Sequence, residues 1–468
     1  MPVLSRPAAT RHAVSMQAVT MPVERRVRWA ARHGVARTVL RRAARKGHLD
    51  ARLMTDLQLQ DDPFPSYELM RAKGLLYRGP ISQATGNHAL CTEVLRSDAF
   101  GVGVERDRLP RVARGVMRVA THSKTMSPID PPSLLAIDPP DHTRLRRLVT
   151  RVFTARAIEG LRGRTEQIAD ALLDELATRD PASPVDLVEH YSSLLPVTVI
   201  AEILGVPQDM HAQFLRWGGG ASVTLDLGIS YRAFANAERD VIALDTWMRQ
   251  HFTRLRQEPG DNLLSQLVRA SDEDELLDED ELSATAMLLL GAGFETTVNL
   301  LGNGVDQLLR HPAELALLRE DPSLWPNAVE EVLRYDSPVQ RTARFARKDT
   351  EVGGVRIPAG SVVVTLLGSA NRDPEVFTDP QRFDVRRANA RDHLSFSSGV
   401  HYCLGAALAR MEGEVGMRRL FERFPDLALA GPPHRRQTRV LRGYDSMPVV
   451  LGAHGDPAHV GGRSRSAA

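Results

Sequence analysis

The chain has 468 residues, 43% of them hydrophobic and 25% charged, with 60 Lys and Arg against 58 Asp and Glu for a formal charge of +2. That composition excludes global disorder, and so mild a basic balance leaves no footprint for nucleic acid, so no nucleic-acid partner is expected. Two cysteines, Cys91 and Cys403, exclude a disulfide framework and fit a reducing compartment, with a cytoplasmic location as the expectation.

Residues 1–22 show no sustained periodicity and read as a disordered arm, without the apolar core and cleavage site of a secretory signal. From Arg25 to Lys46, arginines are interleaved with Trp29, Val35, Val39 and Leu40, which predicts a basic amphipathic helix. Such a helix either lies on a membrane surface or packs its few apolar residues on the body and leaves its arginines in water. The second reading is preferred, so membrane contact is at most peripheral. From Thr143 to Glu320, apolar residues recur at spacings of three and four among Ala, Leu and Glu, the pattern of helices. Gly218-Gly219-Gly220 reads there as a turn or helix break, and no GxGxxG between a strand and a helix marks a dinucleotide site. The greasy stretch from Met287 to Leu301 is interrupted by Gly291, Gly293, Glu295 and Asn299, which argues against a lipid-spanning helix. Between Glu351 and Leu367, β-branched residues punctuated by Gly-Gly and Pro-Ala-Gly predict strands joined by turns. The tail, 453–468, is expected to be disordered. A single domain over 23–452, mainly α with a small β region, is the simplest reading.

Four stretches carry chemistry. In HLSFSSGVHYCLGAALARME a Gly- and Ser-containing loop runs into a helix after Cys403, which places the thiol near a helix N-terminus. Free N–H groups there favour a thiolate and so a metal ligand. Gly399 and Gly405 would let a flat macrocycle approach the backbone, and Phe396 would shield the sulfur. The alternatives are a small buried apolar cysteine, or zinc held by His393, His401 and Cys403, which lacks the usual fourth ligand and paired cysteines. In Gly291 to Thr297, two glycines inside a helix call for a packing or functional reason, and Glu295 and Thr296 follow them. Glu331 and Arg334 stand three apart on one helical face, and His142 and Arg146 four apart on another.

With Phe396, Gly399, His401, Cys403 and Gly405 in place, the chain resembles the cytochrome P450 superfamily, most nearly its actinobacterial members, from about Asp50 to Gly452. One departure is Ser397, where the family usually has Gly. The resemblance implies the P450 fold, with haem b between the Thr296 helix and the Cys403 helix and Cys403 as the iron ligand. It implies that Ala292 and Gly293 give room for oxygen and that Thr296 and Glu295 deliver protons as catalytic residues. His142, Arg146, Arg344 and His401 would meet the two haem propionates, and Glu331 with Arg334 would be a buried structural pair tied to Arg382-Phe383-Asp384. It implies a monooxygenase acting on an apolar lipid-, sterol- or polyketide-like molecule, with electrons from a ferredoxin and ferredoxin reductase. Arg147, Arg151 and Arg410 would suit an acidic partner's docking face. A peroxide-driven haem-thiolate enzyme and a haem-binding sensor or electron carrier are the alternatives. Leu289, Val339 and Met447 are expected in the substrate pocket.

Overall fold

The computed structural model describes residues 23–103, Gly115, 129–150, 153–272 and 277–452. The expectations for 1–22, for 453–468 and for Arg151 lie outside the described residues. The basic segment is helical: residues 23–29 lead through one π-helical turn, Ala30–Gly34, into α1 (Val35–Arg45). Leu40 and Ala43 pack against Ala51 of α2 (Leu49–Leu53), as an amphipathic helix docked on a body should. Its arginines are not all left in water. Arg25 and Arg28 pair with Glu238, Arg32 pairs with Asp130 at 2.7 Å, and the Trp29 indole donates to the Ile229 carbonyl at 3.0 Å.

A small sheet follows. It holds β1 (Tyr77–Arg78), β2 (Gln83–Thr85), β3 (Phe100–Gly101), β4 (Thr342–Ala346) and β5 (Val362–Thr365), with α3 (His88–Arg96) between β2 and β3. The order is β1-β2-β5-β4-β3, antiparallel except where β2 runs parallel to β5. Beside it, Val352 faces Val355 in a hairpin whose turn is Gly353-Gly354, both with positive φ, as a tight turn of the hairpin hand demands.

Two further small sheets join Pro448–Val450 to Val185–Asp186 and Ala428–Leu429, and His434–Arg435 to Tyr444–Ser446 in a C-terminal hairpin; most of what remains is helical. Around one hydrophobic core stand α4 (Asp141–Thr150), α5 (Leu194–Leu204), α6 (His211–Ser222), α7 (Tyr231–Gln257), α8 (Glu279–Arg310), α9 (Trp325–Tyr335) and α10 (Ala406–Arg423). The long α8 is fixed at its ends by sequence. Asp278 accepts from the N–H groups of Asp280 and Glu281 while Glu281 reaches back to Asp278, and Arg310 closes the last turn before Pro312. By length and composition α8 could cross a bilayer, but 78% of its most apolar window is buried inside the protein. Gly218-Gly219-Gly220 does not break the chain: α6 runs through it. A Cβ on Gly218 would lie 2.1 Å from the Phe294 ring, so that glycine lets α6 close on α8.

Candidate functional site

A cavity of about 310 Å³ lies between α8 on one side and the Cys403 loop with the start of α10 on the other. Leu288, Leu289, Ala292, Gly293, Thr296, Thr297 and Leu300 line it from α8, at helical spacing, so one stripe of that helix faces the space. Leu134 and Leu135, His142 and Arg146 of α4, and Pro338, Val339, Thr342 and Arg344 at and before β4 close the sides. Leu289 and Val339 are where the sequence put them. Met447 is not: it is fully buried, and its backbone joins Asp186 and Leu187 in the core. Gly228 and Ile229 serve the N-terminal helix, offering their carbonyls to Arg37 and Trp29.

The cysteine loop is built by its own backbone. The Cys403 N–H donates to the Phe396 carbonyl at 2.9 Å, and Ser397 donates to Leu394 at 2.8 Å. Ser397 takes a φ of +62°, the left-handed conformation the family's usual Gly adopts freely, and its hydroxyl is buried without a partner among the described residues. Gly399 has a φ of +70°, and a Cβ there would lie 2.4 Å from the Leu95 carbonyl of α3. Gly399 is therefore required by close packing on α3, a correction to the expectation that it makes room for a macrocycle. Gly405 lines the cavity with nothing near its missing Cβ, and a flat group can approach there.

Cys403 opens on the cavity three residues before α10 begins. Desolvation pushes its thiol up, while the Gly405 N–H at the helix terminus, Arg146 and Arg410 pull it down, and the side chain itself is exposed toward the cavity. A bound cation would complete the thiolate, since coordination deprotonates a thiol outright. Phe396 is nearly buried beside it, with the Arg410 guanidinium 4.5 Å above the ring. Arg410 also binds Glu330 at 2.8 Å and the Tyr402 hydroxyl at 3.2 Å, so it holds the loop rather than standing ready for a partner.

The four residues expected to meet carboxylates do converge. His142 and His401 have ring centroids 4.4 Å apart, and all four line the cavity. His142 is pushed down to about 4 by burial, with His401 and Arg146 adding to it, so at neutral pH it is a neutral donor and not a cation. Arg146 donates to the carbonyls of Tyr402 and Val400 at 2.6 and 3.4 Å. Arg344 is only 4% exposed, donates to Thr342 Oγ1 and the Ala343 carbonyl, and makes no ion pair among the described residues. Burial pushes its guanidinium down to about 10. A buried cation on a cavity wall without an anion fits a ligand that brings its own carboxylate, and with Cys403 opposite Thr296 these residues fit haem. Asp138 was missed in the sequence. Burial opposes its charge, but His401, Arg347 and the N–H groups of Gly103 and Val102 hold it well below the usual carboxylate range.

Thr296 and Glu295 part company. Thr296 lines the cavity, its hydroxyl donating to the Ala292 carbonyl at 3.1 Å. Glu295 points to the other side of α8, is nearly buried, and pairs with Arg436, which also meets Asp445 at 3.2 Å. A proton route through Glu295 would need that pair to open. Gly293 lines the cavity and also has a packing reason: a Cβ would lie 2.7 Å from Ile200 of α5. Glu331 and Arg334 form a fully buried pair at 2.6 Å. Arg334 also donates to the carbonyls of Asn371, Pro380 and Arg382, and Glu331 accepts from the Asp384 N–H, the tie to 382–384 that was expected. Arg387, which the sequence did not single out, is a third member at 3.2 Å from Glu331.

Comparison with known proteins matches the family model for cytochrome P450 over residues 227–429. The chain is 50% identical over 430 residues to cytochrome P450 140 of Mycobacterium tuberculosis, covering 91% of this chain and 98% of that one. It is 47% identical to 6-deoxyerythronolide B hydroxylase of Saccharopolyspora erythraea over 318 residues, 67% of this chain and 76% of that one. A myxobacterial cytochrome P450 solved in complex with myristic acid superposes with a TM-score of 0.78 at 35% identity, covering 86% of this chain and 100% of that one.

Proposed function

Because the chain belongs to the cytochrome P450 superfamily, and so is a haem-b monooxygenase, we propose that Cys403 holds the iron and that the substrate is an apolar lipid-, sterol- or polyketide-like molecule. Ferredoxin and its reductase as the electron source, and a cytoplasmic location, belong to the same proposal. The observation that carries it is the cavity itself, with Cys403 on one wall, Thr296 on the other and the unpaired Arg344 between. When bound, haem supplies dioxygen activation and insertion of one oxygen atom into a C–H bond.

The protein's own residues do the rest. Arg146, Arg344 and His401 bind the two propionates, with His142 adding a neutral N–H. Thr296 Oγ1 exchanges its bond to the Ala292 carbonyl for an ordered water and so holds a proton at the cavity wall. Leu134, Leu288, Leu289 and Val339 exclude bulk water and receive the apolar substrate. Glu295 enters the relay only when it leaves Arg436.

A ferric absorption titration of the holoprotein against fatty acids, sterols and polyketide-like lactones tests the substrate class. A shift from low to high spin with one class identifies it. No shift with any of them removes the apolar-substrate reading. Thr296→Ala should keep the haem spectrum and divert electrons to peroxide; unchanged coupling would remove Thr296 from the relay.

A further inference from the structure

Around the C-terminal hairpin several arginines are matched to acids: Arg435 and Arg442 both bind Asp336, at 2.8 and 2.6 Å, and Arg436 binds Glu295. Four neighbours are not. Arg37 and Arg41 of α1, Arg341 just before β4, and Arg439 form no ion pair among the described residues. Arg37 and Arg439 donate to the carbonyls of Gly228 and Leu227 at 2.7 and 2.8 Å, and Arg341 reaches the Met54 thioether at 3.2 Å. The Nε atoms of Arg341 and Arg439 are buried with no acceptor among the described residues. Burial pushes the Arg439 guanidinium down, and Arg37, Arg341 and Arg41 repel it further.

Two carboxylates face this group. Asp226 accepts from the backbone N–H groups of Arg439 and Val440, and Asp50 lies against Gly79 with one oxygen unpartnered. Burial pushes both acids up, toward the neutral form. His33, also near Arg439, is pushed down to about 4 by burial and carries no charge at neutral pH. Four guanidinium groups therefore stand against two carboxylates, and buried donors without acceptors are costly.

We propose that Arg37, Arg41, Arg341 and Arg439 form an oxyanion-binding site for a carboxylate or phosphate group, the ligand geometry that guanidinium forks match. Two of the four, Arg341 and Arg439, share a wall with the substrate cavity. Val339 and Thr342 line the cavity, while Gln340 and Arg341 line a small hollow on the other side of the same segment, together with Thr438, Arg439 and Arg442. Val339 pairs with Leu441 across it. The oxyanion is either the acidic end of the molecule that fills the cavity or a free anion that braces this wall.

Calorimetric titration of the holoprotein with sodium palmitate, methyl palmitate and inorganic phosphate separates these sources, using wild type and R341Q/R439Q. Palmitate binding about tenfold tighter than its ester in the wild type and equally in the double variant supports a site for the substrate's acid group. Phosphate binding by the wild type and not by the variant, with acid and ester alike, supports a site for a free anion. Acid and ester alike together with no phosphate binding overturns the site. Should the double variant not fold, R41Q, at the exposed rim, carries the same comparison with an expected loss of about threefold. Phosphate binding without response to any apolar compound would sink the substrate reading and leave this site standing.

Discussion

Two buried arginines on adjoining elements make the most instructive pair in the molecule. Arg334 on α9 is 0% exposed and Arg344 on β4 is 4% exposed, yet their surroundings differ completely. Arg334 binds Glu331 twice and donates to three loop carbonyls, so every direction of its fork is met by protein. Arg344 meets one hydroxyl and one carbonyl and turns toward the cavity. A buried charge fully met by the chain holds the chain together; one left unmet on a cavity wall waits for a ligand's charge.

The largest effect should come from breaking the satisfied member. Arg334→Ala leaves Glu331 buried beside Arg387 alone and should cost about 3–5 kcal/mol, the usual penalty for a broken buried pair. The midpoint of denaturant unfolding measures it; a loss below about 1 kcal/mol, the value of a surface pair, would show the cluster to be no more than ornament to the fold. Arg344→Gln should do the reverse. The fold should be unharmed or slightly steadier, because a buried cation is removed, while haem dissociates more readily by about tenfold or more, one charge-assisted bond lost. Transfer of haem to an apo-globin measures that rate, and unchanged dissociation would place the propionates elsewhere.

Glu412 sharpens the comparison, being buried, charged by type, and met by neither protein nor cavity. Both its oxygens lack partners among the described residues, and burial pushes its carboxyl well above 4.5. The unfolded chain releases this proton at a lower pH than the folded chain, so folding retains it between the two values. Stability from this group is whole below about pH 4.5 and falls as pH rises from there toward the folded value, by about 1.4 kcal/mol per unit while the difference lasts. Glu412→Gln keeps the shape without the ionisation and should be more stable than the wild type at pH 8, with the gap closing by pH 4. Equal stability at both pH values would mean that water or an unseen donor satisfies the carboxylate.

Much of this is legible in the sequence. The helical body, the Gly-Gly hairpin after Glu351, the Glu331–Arg334 pair and its tie to 382–384 follow from periodicity, turn chemistry and the family motif. What failed shares one cause: the sequence names a residue but not the side of the helix it uses or the neighbour it meets. Glu295 and Thr296 are adjacent, so a helix turns them about 100° apart, and only Thr296 reaches the cavity. Gly399 read as room for a macrocycle, whereas the Leu95 carbonyl takes that room, and Gly293 faces the cavity while also lying against Ile200. Asp138 and Arg387 carry no periodic signal, because the charged partners that matter, His401 and Glu331, lie more than 50 residues away.

The smallest effect tests the cysteine loop, where conformational strain takes the place of unmet charge. Ser397 holds a φ of +62° with a Cβ, and its hydroxyl is buried without a partner among the described residues. An L-residue in that conformation is disfavoured by roughly 1–2 kcal/mol, and Gly removes both the Cβ clash and the orphan hydroxyl. Against this, Gly widens the unfolded ensemble by about 0.4–1 kcal/mol, so Ser397→Gly should gain only about 0.5–1 kcal/mol in the holoprotein. Thermal unfolding followed at the haem band reads the gain. A loss instead would mean that the Ser397 hydroxyl meets the bound haem or a water beside Cys403, and the loop would then join Arg344 among the parts completed by the ligand.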